Sequence, residues 1–161
     1  MSSTKAPRPG EVSINLPSRP DAALHFIGRI RTPFASVEEC PKNTREADAV
    51  ATVEIDPAFA VGLEGVELFS HLVLLYWLDD ARRDLIRQVP SHLAVPRGVF
   101  ALRSPIRPNP IGFAVVELLA VAGTMLRVRN IDCRDGTPLV DVKPYFPSTD
   151  SFPDARVAPR G

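Results

Sequence analysis

Charge of either sign is not in excess in this sequence: nineteen Lys and Arg balance nineteen Asp and Glu. Coating of long nucleic acid by bulk attraction is therefore disfavoured, since that affinity comes largely from released counterions, and only a local basic patch is left open. Cysteine is scarce. Cys40 and Cys133 lie far apart with no Cys-x-x-Cys spacing, which argues against a zinc site or a disulfide framework and leaves a reducing cytoplasm as the expected compartment. No metal site is expected. No apolar run reaches membrane-spanning length, because Leu72 to Leu78 is cut off by Asp79 and Asp80. The N-terminus has no apolar signal-peptide core, and no membrane contact is expected. Internal repeats and heptads are also missing.

Proline, by contrast, is abundant, with seventeen in 161 residues. Proline fixes φ and removes an amide donor, so the chain should consist of short extended pieces and sharp turns. The segment Arg97 to Phe113 concentrates this chemistry. It sets Arg103 and Arg107 around Pro105, then places Pro108, Asn109 and Pro110 before Gly112. Such a rigid cationic segment between apolar runs either shapes a site for an anionic or planar ligand or forms a structural corner with solvated arginines.

At 161 residues the chain is read as one domain, with residues 1–20 as a flexible leader and 21–161 as the folded part. Strand patterns run over Leu24 to Ile30 and Ala49 to Ile55, the latter alternating Ala49, Ala51, Val53 and Ile55 against Val50, Thr52 and Glu54. The polar stretch 35–47 reads as a long loop. Asp56-Pro57 reads as the cap and first position of a short helical turn. Phe69 to Leu78 reads as a strand buried on both faces. Leu85 and Ile86 sit in a candidate short helix, and Val99 to Leu102, Ile111 to Val121 and Met125 to Ile131 are further strands. Ala122-Gly123-Thr124 closes a tight connection, and Asp135-Gly136 is a hairpin signal ahead of Leu139 to Lys143. The pattern is all-β, a barrel or a sandwich.

Four motifs carry a resemblance. Phe26 to Phe34 reads Phe-Ile-Gly-Arg-Ile-Arg-Thr-Pro-Phe, and Gly62-Leu63-Glu64-Gly65 precedes Phe69-Ser70-His71-Leu72. Gly98 to Ser104 is followed by Arg107-Pro108-Asn109-Pro110-Ile111-Gly112, and Asp135 to Pro138 is followed by Asp141 to Tyr145. Across residues 24–154, in this order, the chain resembles the TsaA-like, or TrmO, family. The resemblance implies a single small β-barrel of about six to seven mostly antiparallel strands with short helical turns. It implies an S-adenosylmethionine-dependent methyltransferase working as a homodimer with the cofactor near the subunit interface. The family substrate is the threonylcarbamoyl-adenosine beside the tRNA anticodon, methylated at N6. The absence of a Gly-x-Gly turn after the first strand agrees with a fold other than the doubly wound sheet.

By position, the resemblance assigns the cofactor to Asn43 and Thr44 of the polar loop, Asp79 and Asp80 after the central strand, Arg103 and Phe113, and the turn Asp132, Cys133, Arg134 and Asp135. Where the family loop reads Arg-Gln-Pro-Gly, this chain has Lys42-Asn43-Thr44-Arg45. The tRNA-modifying bacterial members also carry a further C-terminal region. Chemically, carboxylates at Asp79, Asp132 or Asp135 would accept from the ribose or amine, and Arg103 would hold the carboxylate as a fork. The Phe113 ring would cover the adenine or oppose the sulfonium. The general base is unassigned.

Structural readings stand beside these. Asp135 serves equally as a turn residue, His71 reads as a hydrogen-bonded core histidine, Cys133 as inert, Tyr76 and Trp77 as core, and Arg82 and Arg83 as a solvated face. Arg107 and Asn109, presented by a Pro-locked loop, are assigned to substrate binding or to the dimer contact, with tRNA met by local contact rather than bulk attraction. Two other readings remain open: a methyltransferase of this fold acting on a small molecule or another RNA, and a non-catalytic dimeric nucleotide-binding module.

Overall fold

The alternation at 50–55 survives in three dimensions because one side of that strand faces a closed interior. The computed structural model describes residues 6–44, 48–90 and 95–157. Nine strands are present among them: β1 (Val12–Ser13), β2 (Gly28–Arg31), β3 (Val50–Ile55), β4 (His71–Trp77), β5 (Leu85–Gln88), β6 (Arg97–Gly98), β7 (Ile111–Ala122), β8 (Met125–Arg129) and β9 (Thr137–Pro144). The chain divides into two compact units, one of residues 24–79 with 111–151 and one of residues 1–23, 80–110 and 152–161.

The first unit is a closed barrel in the order β2-β3-β8-β7-β4-β9, with every pair antiparallel. Closure leaves no sheet edge to solvent. Ile30, Val53, Leu72, Leu74, Val116, Leu126, Val128 and Leu139 are wholly buried in its core. β4 is covered on both sides, as its sequence predicts: Leu72, Leu74 and Tyr76 join the core, Val73 is 8% exposed, and Leu75 and Trp77 are half-buried. Gly123, at φ +60°, makes the two-residue turn between β7 and β8, where Ala122 pairs with Met125. Asp56 caps the 3-10 helix Pro57–Leu63, accepting from the Ala58 amide at 2.9 Å.

The second unit holds the three-stranded sheet β1-β5-β6. Val12 and Ser13, inside the stretch read as a leader, form a strand because β5 offers its free side: Val12 pairs with Arg87 and Ser13 with Leu85. The helix considered at Leu85–Ile86 is strand β5, since β1 and β6 flank it and supply its hydrogen-bond partners. Val99–Leu102, read as a strand, begins instead with the 3-10 turn Val99–Ala101, closed by the Leu102 amide donating to the Val99 carbonyl.

Two further expectations shift. His71 is exposed at the first position of β4, its Nδ1 3.0 Å from Ser70 Oγ, and so is not a core histidine. Asp135-Gly136 is a turn, with Gly136 at φ +77°, but it closes no hairpin. β9 pairs with β2 and β4 rather than with β8, so the turn carries the chain across the barrel end.

Candidate functional site: the polar end of the barrel

Alternating strand direction brings the exits of β2, β8 and β4 and the entries of β3, β7 and β9 to one end of the barrel. The segment from Asn130 to Gly136 crosses that end. Both its limits take left-handed backbone, Asn130 at φ 73° and Gly136 at φ 77°, which lets the chain leave β8 and enter β9 sharply. Hydrogen bonds stitch it to the exit of β2. The Thr32 amide donates to Asp135 Oδ1 (3.1 Å) and Thr32 Oγ1 to the Cys133 carbonyl (2.9 Å). In return, the Asp135 amide donates to the Phe34 carbonyl (2.7 Å) and the Gly136 amide to the Ile30 carbonyl (2.9 Å). Asp135 thus builds the turn, with Oδ2 lying 3.7 Å from Arg31.

Two further links reach β4. Arg134 donates to Asp79 Oδ1 at 2.9 Å and to the Asp135 carbonyl at 3.3 Å. The Tyr76 hydroxyl donates to Asp132 Oδ1 at 2.9 Å. The tyrosine ring occupies the space opposite Gly112, its β-ladder partner: a Cβ at Gly112 would lie 2.1 Å from Tyr76 Cε2. The glycine in the Pro-Asn-Pro-Ile-Gly motif is therefore what allows the ring its place. Asp79 and Asp132 each commit Oδ1 to a partner, and the second oxygen of each has no hydrogen bond among the described residues.

Cys133 is 2% exposed and packs in the core. Burial, with the Asp132 charge adding to it and Thr137 opposing, pushes its thiol up to about 12. The Cys40 thiol is also raised, by burial first and then by the charges of Asp132, Glu39 and Glu38, with Arg134 opposing. Those influences put Cys40 within electrostatic range of the 132–134 turn, while in the same loop Asn43 is exposed and Thr44 half-buried.

The structure thus gathers Asp79, Asp132, Cys133, Arg134 and Asp135 at one end of the barrel unit, with Cys40 of the polar loop within electrostatic range of them. Phe113 lies on the outer wall of β7, paired with Leu75 and 46% exposed. Asp80, Arg103, Arg107 and Asn109 belong to the second unit. There, Arg107 donates to the carbonyls of Ser104 (2.8 Å), Val99 (3.1 Å) and Leu102, fixing the loop before the Pro-Asn-Pro segment, while Asn109 and Arg103 are exposed. Tyr76, read as core, lies in the core and also carries the bond to Asp132, while Thr32 was not singled out for this role. The mid-strand Gly112 was the available signal for Tyr76, whereas nothing in the sequence pairs Thr32 with Asp135 across about a hundred residues.

A closed antiparallel barrel that carries carboxylates, a guanidinium and a buried phenol at one end is unlike the phosphate-binding turn of a doubly wound sheet. Residues 29–151 match the family model described as the tRNA-methyltransferase O N-terminal domain, and the chain belongs to that family. It is 44% identical over 144 residues to the probable S-adenosyl-L-methionine-binding protein VirR of Rhizobium radiobacter, covering 89% of this chain and 82% of that protein. It is 36% identical over 140 residues to the tRNA (adenine(37)-N6)-methyltransferase of Escherichia coli, covering 80% of this chain but 60% of that enzyme. A crystal structure of TrmO from Pseudomonas aeruginosa superposes with a TM-score of 0.72 at 36% identity, covering 84% of this chain and 61% of that one.

Proposed function

We propose that the chain is an S-adenosylmethionine-dependent methyltransferase that modifies N6 of threonylcarbamoyl-adenosine at position 37 of tRNA, acting as a cytoplasmic homodimer with its cofactor near the subunit interface. Family membership and the names of the relatives support the reaction class. The observation that carries the site is the pair of carboxylates, Asp79 and Asp132, each held at one oxygen and open at the other.

That donor set fits the cofactor. The open oxygens accept from a diol or an ammonium, and Arg134, fixed by two bonds, holds Asp79 in orientation. S-adenosylmethionine supplies a methyl group activated by a sulfonium, with a neutral thioether as leaving group. The protein's share is alignment and exclusion of water, which need no protein nucleophile. Cys133, kept as a thiol in the core, takes no part in the transfer. Arg103 serves the cofactor carboxylate, and Arg107, by shaping the loop, presents Asn109 to the acceptor.

Calorimetric titration with S-adenosylmethionine, and with its demethylated product as control, tests the reading. Saturable binding at one site per subunit is expected. Arg103→Ala should weaken it at least about tenfold through loss of a charge-assisted contact; an unchanged Kd removes Arg103 from the site. Labelled-methyl transfer into tRNA that carries threonylcarbamoyl-adenosine, against tRNA that lacks it and against a small-metabolite extract, then identifies the acceptor.

A further inference from the structure

Two uncharged polar side chains are buried, Thr137 at 1% exposed and Gln88 at 5%. The Thr137 hydroxyl is satisfied, donating to the Arg134 carbonyl at 2.8 Å. Gln88, the last residue of β5, is satisfied only in part. Its Oε1 accepts from Ser104 Oγ at 3.2 Å, while its Nε2 has no hydrogen-bond partner among the described residues. A buried donor left unpaired costs more than one neutral hydrogen bond contributes. Methionine would fill a similar volume without that cost, so the stability of the sheet gives no reason for an amide here.

Gln88 holds both ends of one loop. Its backbone pairs with Arg97 of β6, where the loop begins, and its side chain takes Ser104, where the loop ends. Arg107 ties the stretch between to itself, donating to the carbonyls of Val99 (3.1 Å), Leu102 and Ser104 (2.8 Å). Ser104 Oγ also accepts from the Ile106 amide at 3.3 Å, which turns the chain toward Arg107. Arg103 stands between two of these fixed carbonyls, with Leu102 before it and Ser104 after it, and it is exposed. Arg107 thus shapes the stretch from within, and the bond from Ser104 to Gln88 anchors its far end to β5.

We infer that Gln88 is a positioning residue for the cofactor carboxylate: by clamping Ser104 to β5, it fixes the backbone from which Arg103 reaches that group. A guanidinium fork discriminates by geometry, since its two parallel bonds form only when it is aimed in the plane of the carboxylate. Freeing the residue next to Arg103 therefore weakens the fork without removing any atom that touches the ligand. The inference rests on the methyltransferase reading and on Arg103 as the residue that meets the carboxylate.

The test uses the full chain and two ligands followed by calorimetry: S-adenosylmethionine and its decarboxylated form, which lacks only the carboxylate. Gln88→Met should weaken S-adenosylmethionine binding about fivefold, the worth of one oriented hydrogen bond, and leave the affinity for the decarboxylated form unchanged. Its urea midpoint should equal or exceed that of the wild type, because the unpaired donor is gone. In an Arg103→Ala background the same change should cost less than about twofold, as expected of residues acting through one contact. Ser104→Ala breaks the same bond from the other side and should reproduce the ligand selectivity. A Gln88→Met protein with a lowered midpoint and equal losses for both ligands overturns the inference and makes Gln88 a packing residue. Losses that add to those of Arg103→Ala overturn it as well, as does a Gln88→Met protein that binds S-adenosylmethionine like the wild type. In those cases tight binding by the wild type keeps the methyltransferase reading, whereas a wild type that binds neither ligand sinks that reading and the inference with it.

Discussion

Tyr76 joins the interior of the barrel to its polar end, because one side chain packs in the core and donates its hydroxyl to Asp132. Tyr76→Phe keeps the packing and removes that bond. The expected stability loss is about 1 to 3 kcal/mol, the range for leaving a buried polar group without its partner, read from urea unfolding. Cofactor affinity should fall with it, as Asp132 loses its orientation; an unchanged Kd would leave Tyr76 a purely structural residue. Cys133 gives a second test at this scale. Its folded thiol holds its proton up to about 12, while the unfolded thiol ionises near 9.0. The folded state thus binds more protons between those values, so this residue costs no stability below pH 9.0 and destabilises as pH rises from 9.0 toward about 12. In the native protein at pH 8 it should resist iodoacetamide and react only after unfolding.

Strands reveal where the sequence was legible. The barrel strands β3, β7 and β8 carry period-two burial, because only one of their faces meets the core, and that period is written in Ala51, Val53 and Ile55. β5 is four residues long and read as a possible helix, since so short a run holds neither period and its identity comes from β1 and β6. The hairpin expected at Asp135-Gly136 failed for a related reason: turn chemistry specifies a reversal but not which strand lies next to it. Of the candidate site, the contiguous turn Asp132 to Asp135 could be named from the sequence, whereas contacts between distant residues such as Tyr76 with Asp132 or Thr32 with Asp135 could not. At Gly112 the register of β4 on β7 sets the constraint. Gly112→Ala must displace the Tyr76 ring and should cost about 1 to 3 kcal/mol, as overpacking does, together with part of the cofactor affinity. A variant with wild-type thermal stability would show that the ring has room to move.

For the molecule as a whole, subunit association is the next quantity to establish. In the proposed function the cofactor lies near a subunit interface, where a partner would exclude water from a polar site that is open at the end of a small barrel. Sedimentation at micromolar concentration should give a dimer, and a monomer at that concentration would count against the shared site. Among the described residues no helix is long and apolar enough to cross a membrane. The charge balance that argues against bulk attraction to nucleic acid is real for the sum and misleading for the parts, since the two signs collect in different units.

The rung that pairs Trp77 with Ile111 has a consequence for how such a protein changes over time. The chain leaves the barrel just after that rung on one strand and re-enters at it on the other, so the two ends of the excursion from residue 78 to 110 are already held at ladder spacing. Lengthening such an excursion costs only in proportion to the logarithm of its length. Changes of length within that stretch are therefore tolerated while β4, β7 and the turn that crosses the barrel end stay as they are.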